Sequence, residues 1–353
     1  FELSDFTIPI GDYAFFGCES LRFIKIPDIV SSLGEYTFAE SGLINISFHE
    51  ESMFSVLGTG MFNNCKALAS IEIPSSVTSI GGGAFSGCTN LQSVYITDLA
   101  VWWNIDFTSS GTNPLGNGAD LYLNGDLVTS IAIPNGITEI NSYALCGCTS
   151  IESIEIPNSV MSIGQGVFQN CTNLQSITLP FVGASLNGSE NTHFGYIFGA
   201  SSYFSNNTYV PASLKTVVIT DGSSIANGAF SDCGSIVNIE IPSSVTSIGY
   251  YAFEGCTSLA NIEIPSSVTS IGYDAFNNCT SLQSVYNADM AAWLGIYFSG
   301  SGANPSCNNG ADLYLNGALV INAVIPSGIT KINKYAFEGY TNLQSVTFAA
   351  DSL

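Results

Sequence analysis

The chain has 353 residues, of which 28 are Asp or Glu and 6 are Lys or Arg, for a formal net charge of −22 at pH 7. Such a surface repels phosphate backbones and anionic lipid, which argues against nucleic acid and bare membrane as partners. Mean hydropathy is high at +0.32, yet no apolar run approaches the roughly 18–20 residues of a membrane span, so no membrane insertion is expected and the apolar residues belong to a long core.

From the first residues onward one phrase recurs. The string A-F-x-x-C-x-x-L appears as Phe15/Cys18/Leu21, Phe62/Cys65/Leu68, Phe85/Cys88/Leu91, Leu145/Cys148/Ile151, Phe168/Cys171/Leu174, Phe230/Cys233/Ile236, Phe253/Cys256/Leu259 and Phe276/Cys279/Leu282. Phe38/Ser41/Leu43 and Phe337/Tyr340/Leu343 repeat it without the cysteine. After it comes L-x-x-I-x-I, usually closed by Pro; counting further starts at Val128, Leu214 and Val320, this piece occurs 13 times between Leu21 and Leu343. A period of this length marks a repeat architecture, in which each unit must stack on a neighbour to bury its apolar side. The prediction is one continuous array over residues 1–353, with insertions near 95–127, 180–213 and 286–319.

Within one unit the elements follow from spacing. In Leu259–Pro265 the apolar Ile262 and Ile264 alternate with Asn261 and Glu263, the period of a strand with one buried and one wet face. Pro265 has no N–H for a ladder and ends the strand in a Ser-Ser turn. Val268–Ile271 repeats an apolar spacing on a second extended piece, and Ala275, Phe276 and Cys279 suit one short helical turn with its apolar side inward. Stacked units then align the phenylalanines into a spine and the cysteines into a ladder. Eight of the ten cysteines share this register, so they read as buried, unpaired packing residues, with Cys146 and Cys307 as the exceptions.

The first and third insertions are copies of each other. Leu91–Val128 and Leu282–Val320 match at an offset of 191 and then 192 residues. Asp98 and Asp289 are placed to cap short helices, Trp102 aligns with Trp293 and Trp103 with Leu294 in helix-packing positions, and Asn124-Gly125 and Asn316-Gly317 predict tight hairpins. The second insertion, from Phe181, has no copy. It interleaves His193, Phe194, Tyr196, Phe198, Tyr203, Phe204 and Tyr209 with Gly, Ser and Asn, a mixture used at recognition surfaces but equally that of a packed loop.

The 23-residue pattern resembles the leucine-rich repeats of bacterial BspA-like surface proteins, over essentially residues 6 to 350. The resemblance implies an α/β, strand-rich solenoid: a curved leucine-rich-repeat array with a parallel concave sheet, a second short strand and a short helical turn per repeat. It also implies a surface or secreted, non-enzymatic adhesion and recognition scaffold, at the cell surface or extracellular, with a host extracellular-matrix or cell-surface protein as partner.

The residues themselves offer no catalytic or metal-binding spacing. His49 and His193 are the two histidines, and neither falls in a ligand or catalytic motif, so no enzyme activity, cofactor or metal is expected. Binding is expected where the repeat is free to vary: at the outward strand positions Glu72, Tyr95, Glu155, Thr178, Val218, Glu240, Glu263 and Tyr286, and at His193, Phe194, Tyr196, Tyr203, Phe204 and Tyr209. The insertion from Phe181 to Pro211 together with Glu155, Thr178, Val218 and Glu240 is the expected main surface, and removal of residues 183–209 is expected to leave the array folded. A glycan stacking on Tyr95, Tyr286 and the aromatic insertion is the alternative partner, and a purely structural spacer the alternative role.

Overall fold

The structure, a computed structural model, describes residues 7–349. It divides into two compact units, the first comprising Phe1–Ser153, Ile163–Leu174 and Ile197–Gly199, the second Ile154–Ser162, Gln175–Tyr196 and Ala200–Leu353.

Each unit is a solenoid built on parallel strands. In the first, the strands Phe23–Ile26, Asn45–Phe48, Ser70–Glu72, Ser93–Ile96 and Asp120–Leu123 lie side by side and in parallel, and Asp126–Leu127 closes the sheet as an antiparallel hairpin partner. The register places Ile24, Ile46, Ile71, Val94 and Leu121 in one row, and the last four of these are buried. In the second unit Ser176–Leu179, Thr216–Ile219 and Asn238–Glu240 pair in parallel. Asn261–Glu263, Ser284–Asn287 and Asp312–Leu315 do the same. The expected alternation holds: Ile262 is buried while Asn261 and Glu263 are exposed. The second extended piece of each repeat is a two-residue strand, and Ser224–Ile225, Ser247–Ile248, Ser270–Ile271 and Tyr297–Phe298 form a parallel row of these.

The apolar segment expected as a helical turn has the turn without a continuous helix. Its amides alternate between two kinds of partner. Ala229, Ser231 and Cys233 donate to carbonyls three residues back, whereas Gly228, Phe230 and Asp232 donate to Tyr250, Ala252 and Glu254 of the following repeat. Such alternation requires left-handed backbone at both ends of the segment, as at Tyr251 (φ 59°) and Gly255 (φ 69°) or Asp274 (φ 53°) and Asn278 (φ 59°). An α-helix tolerates neither residue in that region, which is why the segment reads as a column of turns.

This column carries the spine. Phe15, Phe38, Phe62 and Phe85 follow one another at ring separations of 5.3, 5.7 and 5.2 Å, and Phe230, Phe253 and Phe276 at 5.5 and 5.2 Å, all stacked. The ladder thiols have a second role beyond filling space. Cys65, Cys88, Cys256 and Cys279 each donate to the carbonyl of the spine phenylalanine one repeat earlier, at 3.0, 3.1, 3.2 and 3.1 Å, and Cys171 donates likewise to Leu145 at 3.2 Å. Repeats also approach closely enough to demand glycine. A Cβ on Gly272 would lie 2.4 Å from the amide nitrogen of Tyr250, and one on Gly81 2.4 Å from that of Thr59.

In both twin insertions the tight turn has the geometry of its sequence, with φ of 52° and 90° at Asn124 and Gly125 and 49° and 76° at Asn316 and Gly317. Positive φ at both central residues is the requirement of a type I′ hairpin.

All ten cysteines are free thiols. Cys146, expected as an exception to packing, is buried, and so are seven of the eight ladder residues. Cys18 departs from the expectation and is exposed. It belongs to the first copy of the string, where no earlier copy among the described residues supplies a wall and a carbonyl for its thiol. Burial pushes the Cys88, Cys146 and Cys279 thiols up to about 12, so they are poor nucleophiles. A thiol reagent is therefore expected to label Cys18 and at most Cys307 in the native protein and all ten cysteines after unfolding; recovery of disulfide-linked peptides would contradict the packing role.

Candidate recognition surface

The outward residues of the strands form rows because the register is unshifted. In the first unit Glu72 pairs with Tyr95, and Tyr95 with Tyr122. The rings of Tyr95 and Tyr122 stack at 4.8 Å with planes 29° apart. In the second unit Glu263 pairs with Tyr286 and Tyr286 with Tyr314, whose rings stack at 5.0 Å and 28°. Tyr122 and Tyr314 are absent from the sequence-based set. Each lies in the Leu-Tyr-Leu-Asn-Gly segment, whose hairpin signal obscures that its tyrosine also occupies an outward strand position.

Thr178, Val218 and Glu240 form another outward row, Thr178 and Val218 half-buried and Glu240 exposed. Glu155 is exposed and reaches the same strand through the amide of its neighbour Ile156, which donates to Thr178 O at 2.8 Å. Glu240 and Glu263 stand on consecutive outward positions of the repeat, but their strands belong to separate hydrogen-bonded sheets. Both carboxylates line a trough of about 620 Å³ together with Thr216, Asn238, Asn261 and Tyr286. No residue lining it comes from the aromatic insertion, so the structure does not join Glu240 to that insertion in one hollow. A second hollow of about 540 Å³ does involve the insertion: Thr192 and Ser189 wall it against Tyr250 and Tyr297 on the side of the two-residue strands. Those two tyrosines precede or interrupt the apolar spacing that drew attention to the framework, and nothing in one repeat marks them.

The insertion aromatics separate into two groups. Phe194 is fully buried and lies 5.0 Å from Phe230, so it occupies the spine in place of a repeat residue. Phe198 is also fully buried, 6.0 Å from Phe168. His193 is 6% exposed, with its Nε2 3.2 Å from Ala200 O, and burial lowers its pKa against the smaller opposing effect of that hydrogen bond. Tyr196 packs edge-on against His193 and is half-buried. Tyr203 is half-buried on Gly228, where any Cβ would come within 2.6 Å of its ring. Phe204 and Tyr209 remain exposed, at 72% and 39%. Of the seven aromatics these two face solvent, while Phe194, Phe198 and His193 are core residues. The expectation that residues 183–209 are dispensable for folding is therefore corrected: their removal would strip Phe194 from Phe230.

What pins this insertion is a buried asparagine. Asn206 is 0% exposed; its Oδ1 accepts from Gly195 N at 3.0 Å and its Nδ2 donates to Ser231 O at 2.9 Å. The twin insertions use the same device. Asn113 donates to Tyr143 O and Ala144 O at 2.7 and 3.0 Å and accepts from Leu115 N, and Asn304 does so with Tyr335 O, Ala336 O and Ser306 N. Each amide serves a carbonyl of the turn column, Ser231, Ala144 or Ala336, that a preceding regular repeat would satisfy with a backbone N–H group. The aligned Trp102 and Trp293 assist, donating Nε1 to Ala144 O at 2.8 Å and to Ala336 O at 2.9 Å, and both are buried as helix-packing residues. The helices they sit on are capped as expected: the Asp98 carboxylate accepts from Ala100 N, and that of Asp289 from Ala291 N and Ala292 N.

One titratable group assembles across repeats unseen by sequence spacing. Asp28, His49 and Glu51 place one ligand atom each within 4.8 Å of one another. The Glu51 amide donates to His49 Nδ1 at 3.2 Å. His49 Nδ1 thus already accepts a hydrogen bond, and exposed acidic groups such as Asp28 commonly cluster without an ion.

The BspA type leucine rich repeat region model matches residues 1–104, 118–196, 202–292 and 311–352 in 6 copies, and the chain belongs to this family. A leucine-rich repeat protein from Bacteroides ovatus shares the fold, with 24% identity over 96% of this chain and 75% of its own, at a TM-score of 0.54. A leucine rich cell surface protein from Faecalibacterium prausnitzii aligns at 23% identity over 97% of this chain and 83% of its own, with a TM-score of 0.38. No curated protein matches the sequence. Among the described residues no helix is long and apolar enough to cross a membrane.

Replacing Asn206 with Ala leaves the Gly195 N–H and the Ser231 carbonyl buried without that partner, at about 1–3 kcal/mol for each such group. The expected result is a loss of roughly 2–5 kcal/mol in denaturant unfolding of the second unit, whereas Asn207→Ala, at the exposed neighbour, should change it little.

Proposed function

We propose that this chain is a non-enzymatic recognition scaffold that binds a protein partner outside the cell or at its surface. The observation that carries the reading is the division within the unique insertion. Phe194 and Asn206 fix it to the framework, while Phe204 is held 72% exposed beside the half-buried Tyr203, with rings 4.1 Å apart. Rigid, exposed aromatic rings bury much area at little cost in side-chain entropy, which suits them to anchor an interface. The outward strand positions Glu72, Tyr95, Glu155, Thr178, Val218, Glu240, Glu263 and Tyr286 supply further contacts that stacking leaves free. Membership of the BspA family supports a role in protein interaction and an exported location.

The test is retention of extracellular-matrix and host cell-surface proteins on the immobilised chain. Phe204→Ala with Tyr209→Ala is expected to reduce capture at least tenfold with an unchanged unfolding midpoint. Full capture by that stable double variant would remove the insertion from the interface, and capture of glycans in place of proteins would overturn the protein-partner reading.

A further inference from the structure

The stacked tyrosine pairs are not isolated. Glu72 adjoins Tyr95 on one side of the first pair, and Asp120 lies on the same strand and face as Tyr122. Glu263 adjoins Tyr286, and Asp312 shares the strand and face of Tyr314. The same four-residue arrangement therefore occurs twice, at sequence offsets of 191 for the first two members and 192 for the others. None of the chain's 6 Lys and Arg residues falls in the six strands that carry these positions.

We infer that each arrangement is a subsite for a cationic side chain, Arg or Lys, presented by an extended basic segment of the protein partner. This rests on the proposed protein-recognition role and specifies the chemistry of what is recognised. Three observations favour a cation. Each tyrosine pair presents an electron-rich aromatic surface with one carboxylate across from its first ring and another two residues along the strand of its second, whose far-side neighbour is Leu127 or Leu319; cations are drawn both to ring faces and to carboxylate charge. In the second unit Glu263 and Tyr286, though not Tyr314 or Asp312, line the trough of about 620 Å³ that also holds Glu240. The negative surface of the whole chain favours approach of a basic segment.

At 4.8 and 5.0 Å the tyrosines of each pair cover one another's inner faces, so any guest meets outer faces and ring edges; the nearby carboxylates favour a cation there over a neutral sugar. Ring stacking alone accounts for the tyrosines as strand-pairing residues, but not for the two carboxylates that stand near them on the same face in both copies. Asp120 and Asp312 are held in place from the following repeat, by the Thr149 hydroxyl at 3.2 Å and by the Asn342 amide. Each such donor occupies one site of a carboxylate that has about four, so both acids can still accept from a guanidinium.

A synthetic peptide of alternating Arg and Gly is the probe, titrated calorimetrically at physiological salt with a Glu-Gly peptide and neutral oligosaccharides as controls. Long-range attraction to a chain of charge −22 would draw any polycation, so the decisive variants leave the charge unchanged. Tyr95→Ser and Tyr286→Ser are each expected to abolish or weaken one of two sites by about three- to tenfold. Glu72→Gln with Glu263→Gln should weaken both, and each variant is checked for an unchanged native fold by its near-ultraviolet spectrum. Arg-Gly binding that the Tyr→Ser variants leave intact would reduce the effect to diffuse charge and overturn the subsites. Failure of the peptide to bind would overturn them as well. Binding of neutral oligosaccharides, lost in the Tyr→Ser variants, would reassign the pairs to glycan. If the subsites fail while Phe204→Ala with Tyr209→Ala still loses protein capture, the recognition role stands and the cationic specificity alone is wrong.

Discussion

A segment of about 23 residues cannot enclose a core, so every buried group in this protein depends on the repeat beside it. The tightest expression of that dependence is the turn column. Phe253 stacks between Phe230 and Phe276, its carbonyl accepts the Cys279 thiol, and its amide donates to Ala275 O. One residue thus makes contacts on both sides that no rearrangement within its own repeat could replace. The cysteine is suited to this place because it is small and apolar enough to be buried and still carries a weak donor for a carbonyl lone pair that the backbone leaves open. Serine at position 41 makes a different contact, its hydroxyl lying 3.5 Å from Cys65 Sγ of the following repeat.

An insertion interrupts the column and must restore its hydrogen bonds by other means. The unique insertion differs in sequence and length from the twin pair, yet all three deliver a buried asparagine to a carbonyl of the next turn, and the twins add an indole N–H. This repair has a functional consequence. Once Asn206 and Phe194 take over the structural duties, the rest of that insertion is released from the repeat pattern, and Phe204 and Tyr209 can stand in solvent. The outward strand residues are free for the complementary reason that their inward neighbours, such as Ile262 and Val285, already bury the strand.

Much of this was legible from spacing because stacking forces identical residues to identical places. The strand faces, the free cysteines, the capping Asp98 and Asp289, the packed tryptophans and the Asn-Gly hairpins all follow from positions that recur. What was hidden depends on contacts between repeats or on residues without a recurrence. Tyr251, Asp274 and Asn278 adopt left-handed backbone, and no propensity for a short apolar run anticipates that; hence a helical turn was expected where the backbone alternates between local and neighbouring partners. The aromatics of residues 193–209 have no second copy to reveal a period, so the core role of Phe194 and the exposure of Phe204 could not be told apart. Tyr122 and Tyr314 carry two signals at once, hairpin and outward face, and the stronger one masks the other. Asp28 and His49 come from different repeats, and their proximity is a product of register alone.

If neighbour-to-neighbour stacking carries the stability, it is measurable as coupling between spine residues. A double-mutant cycle on Phe230→Leu and Phe253→Leu, adjacent at 5.5 Å, is expected to show an interaction of about 0.5–1.5 kcal/mol in denaturant unfolding. The same cycle on Phe62→Leu and Phe253→Leu, which belong to different compact units, should be additive within about 0.5 kcal/mol. Additivity for the adjacent pair would contradict the account, because it would mean that each ring is held by its own repeat.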